Sequence, residues 1–253
     1  GMGINVIASV LAQAGVRQGY QVQLTNKKGL AIRNGSVYSH LSYAPRGEVI
    51  SSIIPCRSAN LILGLDVLEA ARGVDPADRQ QVVDVVAQQG PLDILVVNAG
   101  VAMIGDPLTF EADAVDRMID INVRAPYHAA VEAARTMADG GRIIVIGSVN
   151  GDAVPFAGAA AYAMTKSALQ GMARGLARDL GERGITVNII QPGPVDTDMN
   201  PADGEIAGMV MPFMAIKRYG KATEIAGMAA YLAGAEASYI TGAMHTIDGG
   251  FGA

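Results

Sequence analysis

"RIIVIGS" at residues 142–148, "AAYAMTKSALQGMARGLARDLGERG" at 160–184 and "TVNIIQPG" at 186–193 decide how this chain folds. Two apolar runs flank an amphipathic stretch far too long for a hairpin turn. Strands separated by a helix of ten or more residues run parallel, because the chain must return to the same edge before re-entering the sheet. The pattern repeats outward. Upstream, "LDILVVNAG" (92–100) is a continuous apolar run of the kind buried on both faces of a parallel sheet. Before it, "DRQQVVDVVAQQG" (78–90) reads as an amphipathic helix closed by a glycine. Between the two strands, "DAVDRMIDINVRAPYHAAVEAARTMADGG" (113–141) reads as a long helical region in which Pro126 marks a kink or break. Downstream, a helix near 222–234 precedes a last strand around "AMHTIDGG". From about residue 74 onward the expectation is an α/β fold with a doubly wound, mostly parallel sheet.

The first 73 residues have another rhythm. A helix over about 4–18 leads to "YQVQLT" (20–25), "SVYSHLSY" (36–43), "EVISSIIP" (48–55) and "ANLILGL" (59–65). The short spacings between the later runs predict a meander or mixed sheet, so topology changes near Gly73–Asp75. The expected organisation is an atypical N-terminal segment, 1–73, and a catalytic portion, 74–253, within one compact domain.

A chain of 253 residues can bury a substantial core. No apolar run reaches the roughly 18 residues that span a bilayer, and no basic segment leads a hydrophobic stretch. The single cysteine, Cys56, excludes an internal disulfide framework and a cysteine metal cluster. A net charge of −5 with scattered Lys and Arg argues against a nucleic-acid surface. A soluble cytoplasmic protein with no metal site is expected.

Tyr162 and Lys166 stand four apart on the helix that follows "RIIVIGS", one above the other on a face. A phenol titrates at about 10 in water, so lowering it by roughly three units requires about 4 kcal/mol of preferential stabilisation of the phenolate, which a nearby ammonium supplies. Ser148 ends one strand, "NAG" (98–100) ends another, and "QPGPVDT" (191–197) ends a third in a rigid turn that offers backbone groups and Thr197. Strand ends are where open α/β sheets collect ligands. Asn122 sits in mid-helix, where an amide is a poor helix former; it is either an exposed, locally bonded amide or a kink that holds a water. The methionines at 209, 211 and 214 suit either an adaptable lid or simple core packing. A hydrolase reading is weaker: "IGSVNG" departs from Gly-x-Ser-x-Gly, and nothing brings His40, His128 or His245 to Ser148.

Residues 74–253 resemble the short-chain dehydrogenase/reductases through "VDPAD", "LDILVVNAG", Asn122, "IGS", Tyr162-x-x-x-Lys166, "PGPVDT" and "TGAMHTIDGG". The resemblance implies a Rossmann-like fold, NAD or NADP as cofactor, and hydride transfer to or from a carbonyl/alcohol pair. It implies Tyr162 as general acid/base and as one of the cofactor-binding residues, and Ser148 as holder of the substrate oxygen. Lys166 would bond the nicotinamide ribose and depress the tyrosine pKa, and Asn122 would support a relay water. Asn98, Ala99 and Gly100 would lie along the adenosine, Asp75 would approach the adenine, and Pro192, Gly193, Val195 and Thr197 would meet the nicotinamide end. A homodimer or homotetramer is implied as well. Val97 departs from the pattern, standing where the family often has a second asparagine.

The glycine-rich start of that family has no match here. "GMGINV" (1–6), "LAQAGVRQGYQV", "AIRNGSVYSHLSY" and "IIPCRSANLILGLDVLEAAR" are instead similar to the gamma domain of 2-oxoacid:ferredoxin oxidoreductases. One cysteine cannot hold the iron–sulfur clusters of that family. The chain therefore reads as a junction near residue 74. The strand that chooses between NAD and NADP is not identifiable, and a ligand-binding protein with little turnover stands as the alternative to an enzyme.

Overall fold

The computed structural model describes residues 21–28, 37–44, 61–64 and 75–253, apart from 198, 199 and 205. Parallel strands β3 (Leu61–Gly64), β4 (Ile94–Val97), β5 (Arg142–Ile146), β6 (Thr186–Pro192) and β9 (Met244–Ile247) form one sheet in that order. Each crossing between neighbours from β4 onward carries helix. Helix α1 (Arg79–Gln88) leads into β4, while α2 (Ala112–Ile119) and α3 (Ala125–Thr136) separate β4 from β5. Helix α4 (Ala160–Leu180) joins β5 to β6, and α5 (Ala207–Val210) and α6 (Ala222–Ala233) lie between β6 and β9. Strands β7 (Val195–Asp196) and β8 (Gly220–Lys221) form a small parallel pair of their own.

Alternation along the buried strands explains why both faces are covered. Leu95, Val97, Ile143, Val145, Val187 and Ile189 point to one side, where they pack with Val82 of α1, the alanines of α3 and Leu169, Ala173 and Leu176 of α4. Their neighbours Val96, Ile144 and Ile190 point to the other side and meet Leu232 of α6. Successive side chains of a strand face opposite ways, so an unbroken apolar run demands helices above and below. The doubly wound α/β expectation holds. Among the described residues no helix is long and apolar enough to cross a membrane.

Several local expectations are refined. Helix α1 does close on a left-handed glycine, Gly90 at φ +77°. The strands expected over 92–100 and 142–148 stop at Val97 and Ile146, which leaves Asn98–Gly100 and Gly147–Ser148 as loops at the sheet edge. The long helix does not break at Pro126: it widens in a single π-turn over Asp120–Arg124, the Ala125 N–H bonding to the Asp120 carbonyl, with Pro126 in the first turn of α3.

Of the meander or mixed sheet expected in the first 73 residues, the meander is corrected in its last run. Strands β1 (Gln21–Lys28) and β2 (Val37–Ala44) do form an antiparallel ladder, from Gln21↔Ala44 to Lys28↔Val37. The last run does not join them: Leu61–Gly64 pairs parallel with Ile94–Val97. An apolar strand gains more from the buried sheet than from the edge of a two-stranded ladder. The helix over 4–18, "EVISSIIP" and "GMGINV" lie outside the described residues.

Replacing Ile143, which is fully buried at the centre of the sheet, by alanine is expected to cost about 2–5 kcal/mol of unfolding free energy. Chemical denaturation of the two proteins measures it.

Candidate active site

The site assembles where β4, β5 and β6 end. Strand β5 releases the chain at Gly147, whose N–H still bonds to the Ile190 carbonyl at 2.7 Å. A methyl group on Gly147 would stand 2.7 Å from Ile189 Cγ2, so only glycine fits between the two strand ends. Ser148 follows in an extended conformation and caps the 3-10 turn Val149–Gly151, its Oγ accepting from the Asn150 N–H at 3.1 Å. The residue is buried.

Helix α4 supplies the facing groups. Tyr162 and Lys166 are one turn apart, with Lys166 Nζ 5.7 Å from the centre of the Tyr162 ring. The ammonium is buried, and it donates to the Ile146 carbonyl at 3.3 Å. That bond uses one of three N–H groups; the other two have no partner among the described residues.

Burial dominates the electrostatics. It pushes the Tyr162 phenol above its ordinary value, and a hydrogen bond with Ser148 pulls part of the way back. It also pushes the Lys166 ammonium down to about 8. The depression of the tyrosine expected from its lysine is therefore not the state of this structure: loss of solvent raises the phenol, and the Ser148 hydrogen bond is what opposes it.

Asn122 is neither exposed nor locally bonded. It lies within the π-turn, fully buried. Its Oδ1 accepts from the Val101 N–H at 2.9 Å, while Nδ2 donates to the Val101 carbonyl at 2.8 Å and to Thr165 Oγ1 at 3.0 Å. Thr165 in turn donates to the Tyr162 carbonyl at 2.7 Å. The amide thus joins the loop after β4 to the helix that bears Tyr162 and Lys166. A π-turn, the single-turn widening often seen at functional sites, aims it inward.

Gly100 completes this corner. A β-carbon there would lie 3.2 Å from Lys166 Nζ and 3.4 Å from Asn122 Oδ1. On the far side, Gly193 is forced by contact, since a β-carbon would meet the backbone of Asp248 at 2.6 Å. The turn of Pro192, Gly193 and Val195 is half-buried and Thr197 is exposed, bridged to Asn200 through its backbone. Asn98 and Ala99 are half-buried beside Gly100.

Asp75 stands apart in its bonding. Arg117 grips its carboxylate with both terminal nitrogens, at 3.0 and 3.1 Å, and the Ala77 N–H adds a third bond. The Arg117 bonds hold it below the usual carboxylate range. The methionines divide: Met214 is fully buried with Val149, Tyr219 and Phe251, whereas Met209 is largely exposed.

Three polar residues escaped the sequence reading. Thr165 gave no signal beyond adjacency to Lys166. Gln191 interrupts an otherwise apolar strand end, and it is buried against the Ser148 carbonyl at 3.2 Å. Gln170, also buried, reaches Asp152.

The buried ammonium makes a pH prediction. The unfolded chain holds the Lys166 proton to about 10.5, while the folded chain releases it near 8. Between those values the unfolded state binds more protons, so folding stability rises with pH, by up to about 3 kcal/mol. Lys166→Met removes this gain. Urea unfolding at pH 7 and pH 10 is expected to show the variant's advantage shrinking across that window.

Comparison with known proteins gives the family. Residues 67–252 match the family model described as enoyl-(acyl carrier protein) reductase. The cyclic-di-GMP-binding biofilm dispersal mediator protein of Escherichia coli K12 is 65% identical over 179 residues, covering 71% of this chain and 76% of the relative. The crystal structure of BdcA in complex with NADPH superposes with a TM-score of 0.70 at 64% identity, covering 71% of this chain and 74% of that one. A short-chain dehydrogenase from Burkholderia cenocepacia J2315 in complex with NADP gives a TM-score of 0.69 at 47% identity, covering 71% and 75%. The matched region holds four of the five parallel strands, the Ser148 loop and the Tyr162–Lys166 helix, and the chain belongs to the short-chain dehydrogenase/reductase family.

Proposed function

We propose that this chain is an NAD(P)-dependent oxidoreductase acting on a carbonyl/alcohol pair. The observation that carries the reading is the meeting of Ser148, Tyr162 and a buried Lys166 at the carboxyl edge of the parallel sheet. A nicotinamide cofactor fits the surroundings. Lys166 has two N–H groups without a partner among the described residues, which suit the hydroxyls of a ribose, and the bare Gly100 backbone lets a flat ligand approach the same ammonium. Asn98 and Ala99 extend that surface toward an adenosine, with Asp75 at its far end. Pro192, Gly193, Val195 and Thr197 line the nicotinamide end. NADPH and NADP are the ligands of two structural relatives, which supports a cofactor of this class here.

Bound against Lys166 and Gly100, such a cofactor would supply or accept the hydride. The protein's own part is the proton and the geometry. Ser148 Oγ holds the substrate oxygen beside the Tyr162 hydroxyl, which donates a proton as a carbonyl is reduced and takes it back in the reverse direction. A phenol raised by burial keeps its proton ready for reduction. When the reaction leaves a phenolate, the Lys166 ammonium 5.7 Å from the ring centre stabilises it. Asn122, fixed to Val101 and Thr165, keeps the π-turn open for a water that refills the proton.

The same proposal takes residues 74–253 as the catalytic portion of a cytoplasmic homodimer or homotetramer. Residues 1–73, with their likeness to a gamma domain, stand in place of the glycine-rich half. Such a chain must still hold the cofactor's pyrophosphate.

The test is NADH and NADPH affinity by fluorescence, together with turnover over a panel of ketones and aldehydes. Tyr162→Phe is expected to lower kcat by about 10²–10⁴-fold, the usual worth of a positioned acid/base. NADPH affinity should change little. Tight NADPH binding without turnover of any substrate by the unaltered chain would support the binding-only alternative instead.

A further inference from the structure

The turn that carries Ser148 is tied to the rest of the site by one carboxylate. Asp152 lies four residues beyond Ser148. Its Oδ1 accepts from Gln170 Nε2 at 2.6 Å, and its Oδ2 accepts from Gln191 Nε2 at 2.7 Å. The same Gln191 nitrogen donates to the Ser148 carbonyl at 3.2 Å. Gln191 is 1% exposed and Gln170 9%. No cation pairs with the carboxylate among the described residues; its partners are two neutral amides on two different elements, α4 and β6.

The carboxylate decides which way Gln191 faces. Turned over, the glutamine would set its own oxygen against Asp152 and against the Ser148 carbonyl, three acceptors with no hydrogen between them. The adopted orientation leaves Gln191 Oε1 buried without a donor among the described residues. A buried acceptor in that state is destabilising, so the two bonds made by Nε2 must outweigh it. Packing closes the same joint: a β-carbon on Gly151 would stand 2.9 Å from Gln170 Nε2 and 3.2 Å from the Lys166 carbonyl. The turn also takes a bond from Ser167 Oγ to the Gly151 carbonyl at 2.8 Å.

We propose that Asp152 is a positioning residue for the reaction. It orients the Gln191 amide, which pins the Ser148 main chain, so that the Ser148 hydroxyl stays against Tyr162. Gln191 immediately precedes Pro192 and Gly193, and the clamp therefore also sets the distance between the substrate-side turn and the nicotinamide-side turn. The inference rests on the proposed oxidoreductase reading for its kinetic part alone.

The experiment uses Asp152→Ala, Gln191→Leu and the double variant, with the milder Asp152→Asn in case the alanine variant does not fold. Each single variant is expected to lower kcat at least about tenfold while KM for NADPH stays within about threefold. The double variant should be no slower than the slower single, because both break one device. A second readout needs no turnover. The Tyr162 phenol is titrated by ultraviolet absorbance as the difference between each protein and its Tyr162→Phe counterpart. Loss of the clamp releases Ser148, removes the bond that lowers the phenol, and moves its midpoint up. Unchanged kcat overturns the proposal. So do additive losses, or a fall in kcat matched by KM, when Tyr162 titrates as before. If the unaltered chain turns nothing over, the oxidoreductase reading fails, and the titration still decides whether the clamp acts.

Discussion

A lysine ammonium held out of water organises this molecule's chemistry. Burial draws Lys166 down to about 8 and raises the phenol one turn earlier on the same helix. Both shifts have one cause, loss of solvent, and they act in opposite directions on the two protons. The helix tolerates this because the Ile146 carbonyl, freed where β5 ends, accepts from the ammonium. A charge in that position is costly in the resting fold and useful once a phenolate or a ribose lies beside it. The same environment that destabilises the fold thus makes the site reactive.

The neighbours of that pair are explained by crowding and hydrogen bonding together. Gly100, Gly147, Gly151 and Gly193 each stand where a β-carbon would press on a neighbouring strand end, helix or loop. Small residues let the strand ends and α4 approach, and buried amides then fix their relative positions. Asn122 joins the loop after β4 to α4, and Gln191 joins β6 to the loop after β5. Each amide spans elements distant in sequence, so the edge of the sheet behaves as one piece.

The family assignment fits this physical picture without adding to it. A parallel sheet collects ligands at its carboxyl edge, and here that edge gathers the phenol and ammonium of α4, the Ser148 hydroxyl of the loop after β5, and the fixed amides of Asn122 and Gln191. The family model covers residues 67–252, while β3 at 61–64 shows that the sheet itself extends further toward the N-terminus.

Much of the fold was legible from residues 74 onward, because periodicity and glycine punctuation are local. Continuous apolar runs specify strands buried on both sides, and "DRQQVVDVVAQQG" encodes its own helix and its own stop. The Tyr162–Lys166 spacing and the strand-end position of Ser148 could likewise be read from the residues alone. Other features depended on contacts between distant segments. The partner of Leu61–Gly64, the π-turn around Asn122, the bidentate grip of Arg117 on Asp75 and the Asp152–Gln191 clamp are set by which surfaces meet. The balance of the Tyr162 and Lys166 protons belongs with them: the sequence places an ammonium near a phenol, but only the packed sheet removes the water that decides which effect wins.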